Sequence, residues 1–154
     1  MIATVSSSAK AEIARAAGAD HVIDYKTDDV GARVKSITGA GVDATIDVLL
    51  DANAPLWPAV LRPKGTAVVY GTGAPEAKIP AGFMLQNGIT VKFTLVYEME
   101  RNDRARAAAE ITRLLERGAL ASMIDRSFAL TDIVAAHQAM ERGDAVGKIV
   151  VRLA

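Results

Sequence analysis

The amino-acid sequence predicts an α/β protein with a mostly parallel, doubly wound sheet. Its opening runs from an apolar, β-branched stretch at Ile2 to Val5 through three serines into an alanine-rich helical pattern, and then into a second apolar run from His21 to Tyr25. A strand, a helix and a strand in so few residues are half of a nucleotide-binding βαβ array. Short apolar runs and helical patterns continue to alternate along the chain, which indicates parallel strands joined by helices.

Composition restricts the class of protein. The chain has 154 residues, is 51% hydrophobic, and carries 18 basic and 18 acidic side chains. This is one domain's worth of chain, and its balanced charge gives no argument for nucleic acid or an anionic membrane as a partner. The absence of cysteine excludes disulfides and cysteine-ligated zinc within this sequence. No stretch has the pattern of a signal peptide or a membrane span, so we expect a cytoplasmic protein.

A glycine-rich phosphate turn is absent from the sequence. In a doubly wound dinucleotide-binding domain the first strand leads into Gly-x-Gly-x-x-Gly, whose glycines let the backbone approach the pyrophosphate. The nearest cluster here, Gly71-Thr72-Gly73, continues with Ala74 and Pro75 instead, although glycines at the end of a strand would still let a cofactor approach the backbone. We therefore expect a Rossmann-like sheet that is truncated, in which the first strand and the glycine turn are missing.

The end of the opening strand predicts a phosphate site. An acidic residue there would bind a ribose 2′-hydroxyl and exclude a 2′-phosphate, but this strand ends in Ser6, Ser7 and Ser8, with Lys10 one turn into the helix. Hydroxyls, helix-start N–H groups and one ammonium suit a phosphate dianion, which favours NADP over NAD. The alternative is that Ser8 only caps the helix and Lys10 is solvated.

Each later element has its own sequence signal. The first helix ends at Gly18; the second begins at Thr27-Asp28-Asp29 and closes at Gly39. Val42 to Leu50 is apolar enough to be a central parallel strand, and Pro55 suits the first turn of a short helix in which Trp57 packs. The remaining expected elements are a turn at 62–65, a strand at 66–70, a short helix at 83–87, an alternating edge strand at 89–95, a helix at 102–117, a strand at 123–130, a helix at 131–141 and a strand at 148–153.

Apolar periodicity also assigns helix faces. In the long helix Ala108, Ile111, Leu114 and Leu115 are expected on the buried side. His137 shares the apolar side of the next helix with Ile133 and Met140, which predicts a packed histidine, whereas His21 reads as a surface histidine. Neither histidine has a second ligand nearby, so no metal site is expected.

Several stretches in order resemble one known family. They are ATVSSSAKAEIARAAGADHVIDYKTDD, GVDATIDVLL, LRPKGTAVVYG, KFTL and VGKIVVRL. Together they resemble the C-terminal half of a zinc-independent medium-chain dehydrogenase/reductase, of the NADPH:quinone oxidoreductase (zeta-crystallin-like) branch. The resemblance implies a catalytic domain upstream of Met1, a truncated dinucleotide-binding domain over residues 1–120, and C-terminal elements over 121–154 that return to the catalytic domain.

The resemblance also implies positions along a bound cofactor. Tyr25 joins Ser6, Ser7 and Lys10 near the 2′-phosphate; the alternative for Tyr25 is a strand-end aromatic that shields the sheet. The other implied positions are Leu49 and Leu50 along the cofactor's edge, Gly71, Thr72 and Gly73 beside the nicotinamide and its ribose, Phe93, Thr94 and Leu95 behind the nicotinamide, and Lys148 at the active-site cleft. No catalytic residue can be named from the sequence.

A truncated sheet predicts a gap. In the strand order 3-2-1-4-5-6 the first strand lies in the middle, so its absence leaves two sheet fragments with unpaired backbone groups facing each other. We expect the gap to be filled by a C-terminal strand that folds back, by a strand of a second copy, or by chain upstream of Met1.

The function implied by the resemblance is hydride transfer from NADPH to a quinone or another conjugated carbonyl, without a metal. The implied partners are a small-molecule substrate and a second copy, through the edge strand near Ile89 to Leu95. The alternatives are a short non-catalytic nucleotide-binding or interaction module and, among enzymes, an alcohol dehydrogenase or an enoyl reductase. This chain by itself is not expected to be catalytically competent.

Overall fold

The computed structural model describes residues 1–143 and 145–153 and has the predicted alternation of strands and helices. The strands are β1 (Ile2–Val5), β2 (His21–Asp24), β3 (Val42–Asp47), β4 (Leu61–Val69), β5 (Thr90–Phe93), β6 (Ile124–Ala129) and β7 (Lys148–Arg152). The helices are α1 (Ser8–Ala16), α2 (Val30–Thr38), α3 (Leu50–Asn53), α4 (Trp57–Val60), α5 (Ala81–Asn87), α6 (Arg101–Glu116) and α7 (Ile133–Glu141). Short 3₁₀ turns occupy Ala54–Leu56, Val96–Glu98 and Leu130–Asp132.

Two compact units divide the chain, residues 1–106 and 107–154. The first contains a two-stranded sheet, β1-β2, and a three-stranded sheet, β3-β4-β5; the second contains β6-β7. Every strand pair is parallel, which confirms the predicted fold class. No helix in residues 1–143 and 145–153 is both long enough and apolar enough to cross a membrane.

The helix starts differ slightly from those predicted. Ser7, not Ser8, caps α1, because its hydroxyl accepts the Lys10 N–H at 3.4 Å. Asp29, not Thr27, caps α2 through a 2.9 Å bond from the Ala32 N–H. Both residues satisfy an orphan N–H of the first turn. Several residues of each stretch could serve as a cap, so the sequence located the helix but not the capping residue.

One core holds the first unit together. Trp57 and Ile23 are its largest fully buried side chains, which confirms the packing role predicted for Trp57. Helices α2 and α4 approach closely there, since a Cβ placed on Gly31 would lie 2.6 Å from the Ala59 Cβ. This core reaches strands of both sheets, because Ile23 belongs to β2 and Ala67 and Val69 belong to β4. The other members of the cluster are Val34, Leu50, Ala54, Val60 and Leu61.

Helix faces in the second unit correct two predictions. His137 is exposed, and the buried stripe of α7 consists of Ala136 and Ala139 instead. In α6 the apolar side chains predicted to be buried are largely exposed, with Ile111 at 50% and Leu115 at 44%. The 3.6-residue period identifies an apolar stripe, but a stripe is buried only where another element covers it. In α7 the small side chains of Ala136 and Ala139, rather than the larger apolar ones, are therefore the buried ones.

The sheet of the first unit has an open side, which corrects two further predictions. β3 pairs with β4 alone and β1 with β2 alone, so β3 is an edge strand and not a central one. The C-terminal strand does not fold back into the gap, because β7 pairs with β6. Within the described residues the gap between β1 and β3 is open, and the two other expected occupants, a strand of a second copy or chain upstream of Met1, stay predictions.

A strained turn interrupts β4. The pairing register with β3 breaks between Leu61 and Thr66, at the predicted turn of residues 62–65. Lys64 is the one described residue other than glycine with a positive φ, 63°. The left-handed conformation brings Cβ close to the next carbonyl oxygen and costs about 1–2 kcal/mol.

Replacing Lys64 with glycine is expected to stabilise the protein. Relief of the left-handed strain exceeds the added entropy of glycine in the unfolded chain, so the free energy of unfolding should rise by about 0.5–1 kcal/mol. Urea denaturation measures the change. The matched control is Lys92→Gly in β5, which should lower stability because glycine weakens a strand. Equal losses in both variants would contradict the assignment of strain to Lys64.

Candidate cofactor-binding site

A cavity of about 610 Å³ opens at the carboxyl ends of β3, β4 and β5. Leu50 follows β3, Val69 ends β4, and Phe93 ends β5, so the parallel pairing brings these positions to one edge. Six of the residues singled out from the sequence line this cavity together: Leu50, Gly71, Thr72, Phe93, Thr94 and Leu95. Carboxyl ends of parallel strands are where open α/β sheets bind ligands.

Backbone hydrogen bonds hold the three strand ends in place. The Tyr70 N–H donates to the Asp47 carbonyl at 3.0 Å, and the Leu50 N–H donates to the Gly71 carbonyl at 3.2 Å. On the other side the Thr94 N–H donates to the Val69 carbonyl at 2.8 Å. The ladder therefore extends past the strands, and the loops that line the cavity are fixed to one another.

Glycine is required at position 71 by this loop packing, whereas at position 73 a movable leucine side chain is the nearest neighbour. A Cβ at Gly71 would lie 2.4 Å from the Val48 carbonyl oxygen, and one at Gly73 would lie 2.9 Å from Leu49 Cδ1. The sequence predicted glycine here so that a ligand could approach the backbone. The structure gives a different physical reason, which is the approach of the neighbouring loop.

Asp51 links the two loops through its side chain. Its Oδ1 accepts the Gly73 N–H at 2.7 Å and the Thr72 hydroxyl at 3.2 Å. The bond from the Gly73 N–H is the main cause that lowers the pKa of the Asp51 carboxyl below its ordinary value of 3.8, and the Thr72 hydroxyl adds to it. The carboxylate therefore stays charged at neutral pH beside the candidate site. No sequence pattern marked Asp51.

Asp47, at the end of β3, holds the beginning of the same loop through hydrogen bonds to its carboxylate. It is 8% exposed, and its carboxylate accepts bonds from the Thr45 hydroxyl at 2.9 Å, Asn53 Nδ2 at 3.1 Å and Trp57 Nε1 at 3.1 Å. Three donors compensate the desolvation of a buried carboxylate. The segment between Asp47 and Asn53 is consequently held at both of its ends.

A second group of predicted residues lies at the carboxyl ends of β1 and β2. Val5 is paired with Asp24, so Ser6 and Tyr25 follow at neighbouring strand ends. The Ser7 hydroxyl is occupied by the helix cap. In the described part of the chain the Lys10 ammonium has no carboxylate partner, and Tyr25 is 54% exposed. The group thus presents one available cation and hydroxyl donors at the start of α1.

A larger cleft of about 1390 Å³ separates the two sheets. Tyr25 of the second group and Leu49 of the β3 loop both line it. The two groups of predicted residues therefore flank one cleft within the first unit, each on its own sheet. Across residues 1–143 and 145–153, no group of three or more His, Cys, Asp or Glu side chains is arranged to hold a metal ion.

Comparison with known proteins decides the family. A family model described as zinc-binding dehydrogenase matches residues 17–151. The chain belongs to this family. It is the dinucleotide-binding family of the medium-chain dehydrogenase/reductases, which confirms the resemblance noted in the sequence.

Relatives in the family are oxidoreductases about twice as long. The chain is 29% identical over 158 residues to a 2-haloacrylate reductase of Burkholderia sp, with 98% of this chain and 47% of the reductase covered. It is 30% identical over 159 residues to a quinone oxidoreductase of Pseudomonas aeruginosa, with 98% and 48% covered. A solved mycobacterial protein in complex with NADPH aligns with a TM-score of 0.84 at 26% identity, with 99% and 48% covered. The chain thus spans about half the length of the curated relatives it matches.

Some of the predicted site residues lie outside the cavity at the strand ends. Lys148 begins β7 in the second unit, where its N–H donates to the Met123 carbonyl at 2.7 Å, and its site role stays a prediction. Gly73 does not line that cavity, and its N–H donates to Asp51 beside it. Conversely, Glu98, Glu100 and Asp103 line the cavity but were not identified from the sequence, because no motif marks the two glutamates and Asp103 falls at the start of a helix that was predicted only for its apolar side.

Substitution of Gly71 tests the loop packing. Gly71→Ala is expected to lower the free energy of unfolding by about 1–3 kcal/mol, because the new methyl group would overlap the Val48 carbonyl. The matched control is Gly82→Ala in α5, where a Cβ has open space and should stabilise the helix by about 0.5–1 kcal/mol. Thermal denaturation of both variants measures the difference. A neutral Gly71→Ala would show that the two loops are not in contact.

Titration tests the Asp51 link. Thr72→Val should raise the pKa of the Asp51 carboxyl toward its ordinary value but not to it, because the Gly73 N–H still donates. Carbon-detected NMR of the carboxyl measures this. Since the folded pKa is lowered, the link stabilises the protein at pH values above the unfolded pKa and is lost as the pH falls through the folded pKa. An unchanged titration in the variant would contradict the Thr72 contact.

Proposed function

We propose that these 154 residues bind a nicotinamide dinucleotide within an oxidoreductase that transfers hydride to a quinone or another conjugated carbonyl. The observation that carries the proposal is the cavity at the strand ends. Six residues that the sequence and its family resemblance point to line it together. Relatives named as a quinone oxidoreductase and a 2-haloacrylate reductase, which act on conjugated systems by name, support the reaction class.

The cavity fits one end of a dinucleotide. Its volume of about 610 Å³ lies within the range of ordinary ligand pockets, and its walls are mainly apolar, with hydroxyl and backbone groups at the rim. A bound nicotinamide cofactor would supply the hydride. Phe93 and Leu95 would form the apolar wall behind it and exclude water, while Thr72 and Thr94 offer polar groups for orientation.

The second group favours NADPH over NADH. Lys10, Ser6 and the start of α1 combine a cation, a hydroxyl and unpaired N–H groups, with no acidic residue at the end of β1. This arrangement suits a 2′-phosphate and lacks, at the end of β1, the carboxylate that would bind a ribose 2′-hydroxyl. The mycobacterial relative solved with NADPH supports the same choice of cofactor.

Charges at the cavity favour an uncharged acceptor. Glu98, Glu100 and Asp103 all line it, and no Lys or Arg is among the described lining residues. An anionic acceptor, such as a haloacrylate, would meet like charges, whereas a quinone would not. Among the substrates suggested by the relatives, a quinone fits these residues best.

The remaining parts of the proposal concern assembly and setting. The outer edge of β5 has no partner among the described strands, and this supports a homodimer through the strand near Ile89 to Leu95. Zinc-free chemistry is proposed from the quinone-oxidoreductase branch, and a cytoplasmic location from the sequence composition. Lys148 is proposed to border the substrate cleft of the whole enzyme.

Turnover by the native polypeptide that contains these residues tests the reaction. NADPH oxidation is followed with benzoquinone, a haloacrylate or an enoyl thioester as the hydride acceptor, and NADP⁺ reduction is followed with an alcohol as the hydride donor. Preference for benzoquinone supports the proposal. Preference for the alcohol or the thioester moves the protein to another branch of the family, and no turnover with any of them favours a non-catalytic nucleotide-binding module.

Cofactor discrimination tests the phosphate site. Lys10→Ala should weaken NADPH binding about three- to tenfold and leave NADH binding unchanged, because only the 2′-phosphate meets the ammonium. Fluorescence titration of both nucleotides measures the ratio. The matched control is Lys35→Ala in the last turn of α2, which should change neither affinity. Unchanged discrimination in Lys10→Ala would remove Lys10 from the site.

A further inference from the structure

Thr72 lies in the loop after β4 and lines the cavity at the strand ends. Its hydroxyl group has one proton to donate and two lone pairs that can accept. Three polar groups of the chain surround the hydroxyl oxygen: Asp51 Oδ1 at 3.2 Å, the Ala74 carbonyl oxygen at 2.8 Å and the Ala74 nitrogen at 3.4 Å. These groups decide what the hydroxyl can still offer to a ligand in the cavity.

The proton of this hydroxyl is directed at the protein. Asp51 Oδ1 and the Ala74 carbonyl oxygen can both accept it, and the Ala74 N–H occupies one lone pair through the longest of the three contacts. A hydroxyl that already donates to the protein has no proton left for a ligand. Its second lone pair has no partner among the described residues, so Thr72 is left as an acceptor.

The bond between Thr72 and Asp51 has only one possible direction. Asp51 Oδ1 accepts the Gly73 N–H at 2.7 Å, and this bond is the main cause that lowers the pKa of the Asp51 carboxyl. A carboxylate has no proton to give, so at neutral pH the hydroxyl must be the donor. A charged acceptor also makes the stronger bond, which holds the hydroxyl in this direction.

Asp51 acts on the cavity only through the loop after β4. It is not among the described residues that line the cavity, although Leu50, its neighbour in α3, is one of them. Its carboxylate reaches across from the β3 side and holds both Thr72 and Gly73. Any influence of Asp51 on a ligand is therefore indirect, and Thr72 is the side chain that transmits it.

We propose that Asp51 is a positioning residue, whose carboxylate commits the Thr72 hydroxyl proton to the protein, so that Thr72 meets the ligand as a hydrogen-bond acceptor. This inference rests on the proposed function, because the ligand is taken to be a nicotinamide dinucleotide. At the nicotinamide end of that ligand the groups that can donate are the carboxamide NH₂ and the ribose hydroxyls. Thr72 therefore binds one of these donor groups.

This arrangement gives Thr72 a role in selectivity. A ligand group that can only accept, such as a carbonyl oxygen, would have to take the proton from Asp51 or from the Ala74 carbonyl before it could bind. A donor group meets a lone pair that is already available and requires no rearrangement. A carboxamide carries a carbonyl oxygen as well as an NH₂ group, and the loop favours the orientation in which the NH₂ group faces Thr72.

A double-mutant cycle tests the inference on the native polypeptide that contains these residues. The dissociation constant of NADPH is measured by fluorescence titration for the unaltered protein, Asp51→Ala, Thr72→Val and the double variant. Thr72→Val should weaken binding about three- to tenfold, because one hydrogen bond is lost. Asp51→Ala should weaken binding by a factor about three times larger when Thr72 is present than in the Thr72→Val background, because Asp51 acts through the hydroxyl.

Three further variants complete the cycle. Thr72→Ser keeps the hydroxyl and should bind NADPH within about twofold of the unaltered protein. The matched control Asp43→Ala removes a carboxylate near the other end of β3, where Asp43 pairs with Arg62, and should leave the affinity unchanged. Asp51→Asn keeps an acceptor for the Gly73 N–H, and it takes the place of Asp51→Ala if that variant does not fold, with the same expected sign.

An NADPH analogue with an acetyl group in place of the carboxamide identifies the donor. The acetyl group keeps the carbonyl oxygen but has no N–H to donate. If the carboxamide NH₂ is the donor, Thr72→Val should leave the binding of the analogue unchanged. If a ribose hydroxyl is the donor, the substitution should weaken the binding of the analogue and of NADPH by the same factor.

Three results would overturn the inference and leave the proposed function standing, because NADPH binds in each. An equal effect of Asp51→Ala in both backgrounds would show that Asp51 only anchors the loop. A smaller effect when Thr72 is present would show that Asp51 and the ligand compete for the proton, so that Thr72 donates. Unchanged NADPH binding in Thr72→Val would remove Thr72 from the site. Failure of the unaltered protein to bind NADPH or NADH would reject the proposed function and this inference together.

Discussion

Parallel pairing in register is the constraint on which the rest of the structure depends. Because β3, β4 and β5 run in the same direction, Asp47, Val69 and Phe93 finish at one edge, and the segments that follow them must share the same space. The loop packing of Gly71 against Val48 and the bonds to the Asp51 carboxylate are consequences of that crowding. The candidate site exists because three chain segments have to leave the sheet side by side.

The same constraint explains which parts of the fold were predictable. Ile2–Val5 and the helix patterns of α1 and α2 were located within one or two residues, because their period and flanking residues are local signals. The prediction that His137 and Ile111 are buried was wrong, because burial depends on which other element covers an apolar stripe. A local sequence pattern does not show which element that is. For the same reason β3 was predicted to be central although it lies at an edge in this chain.

The candidate site was predictable to a similar extent. Gly71 follows from its place at the end of a strand and Phe93 was implied by the family resemblance, and both line one cavity. Asp51 and Glu98 were missed because they lie in single-turn helices that follow strands, where contacts between residues distant in sequence decide which side chains meet. The reason for a residue was also harder to predict than its position. Glycine at position 71 was explained by ligand access, whereas in the structure a Cβ there would lie 2.4 Å from the Val48 carbonyl oxygen.

The cleft joins these observations into one requirement for function. Lys10 and Tyr25 belong to the β1-β2 sheet, whereas Leu50 and Thr72 belong to the β3-β4-β5 side. A dinucleotide has two ends joined by a pyrophosphate, so one cofactor can meet both groups only if their separation is fixed. In the first unit this separation is set by the core that joins the two sheets, because Ile23 of β2 and Val69 of β4 belong to one buried cluster with Trp57. The packing beneath the cleft therefore decides whether the two groups can serve one ligand.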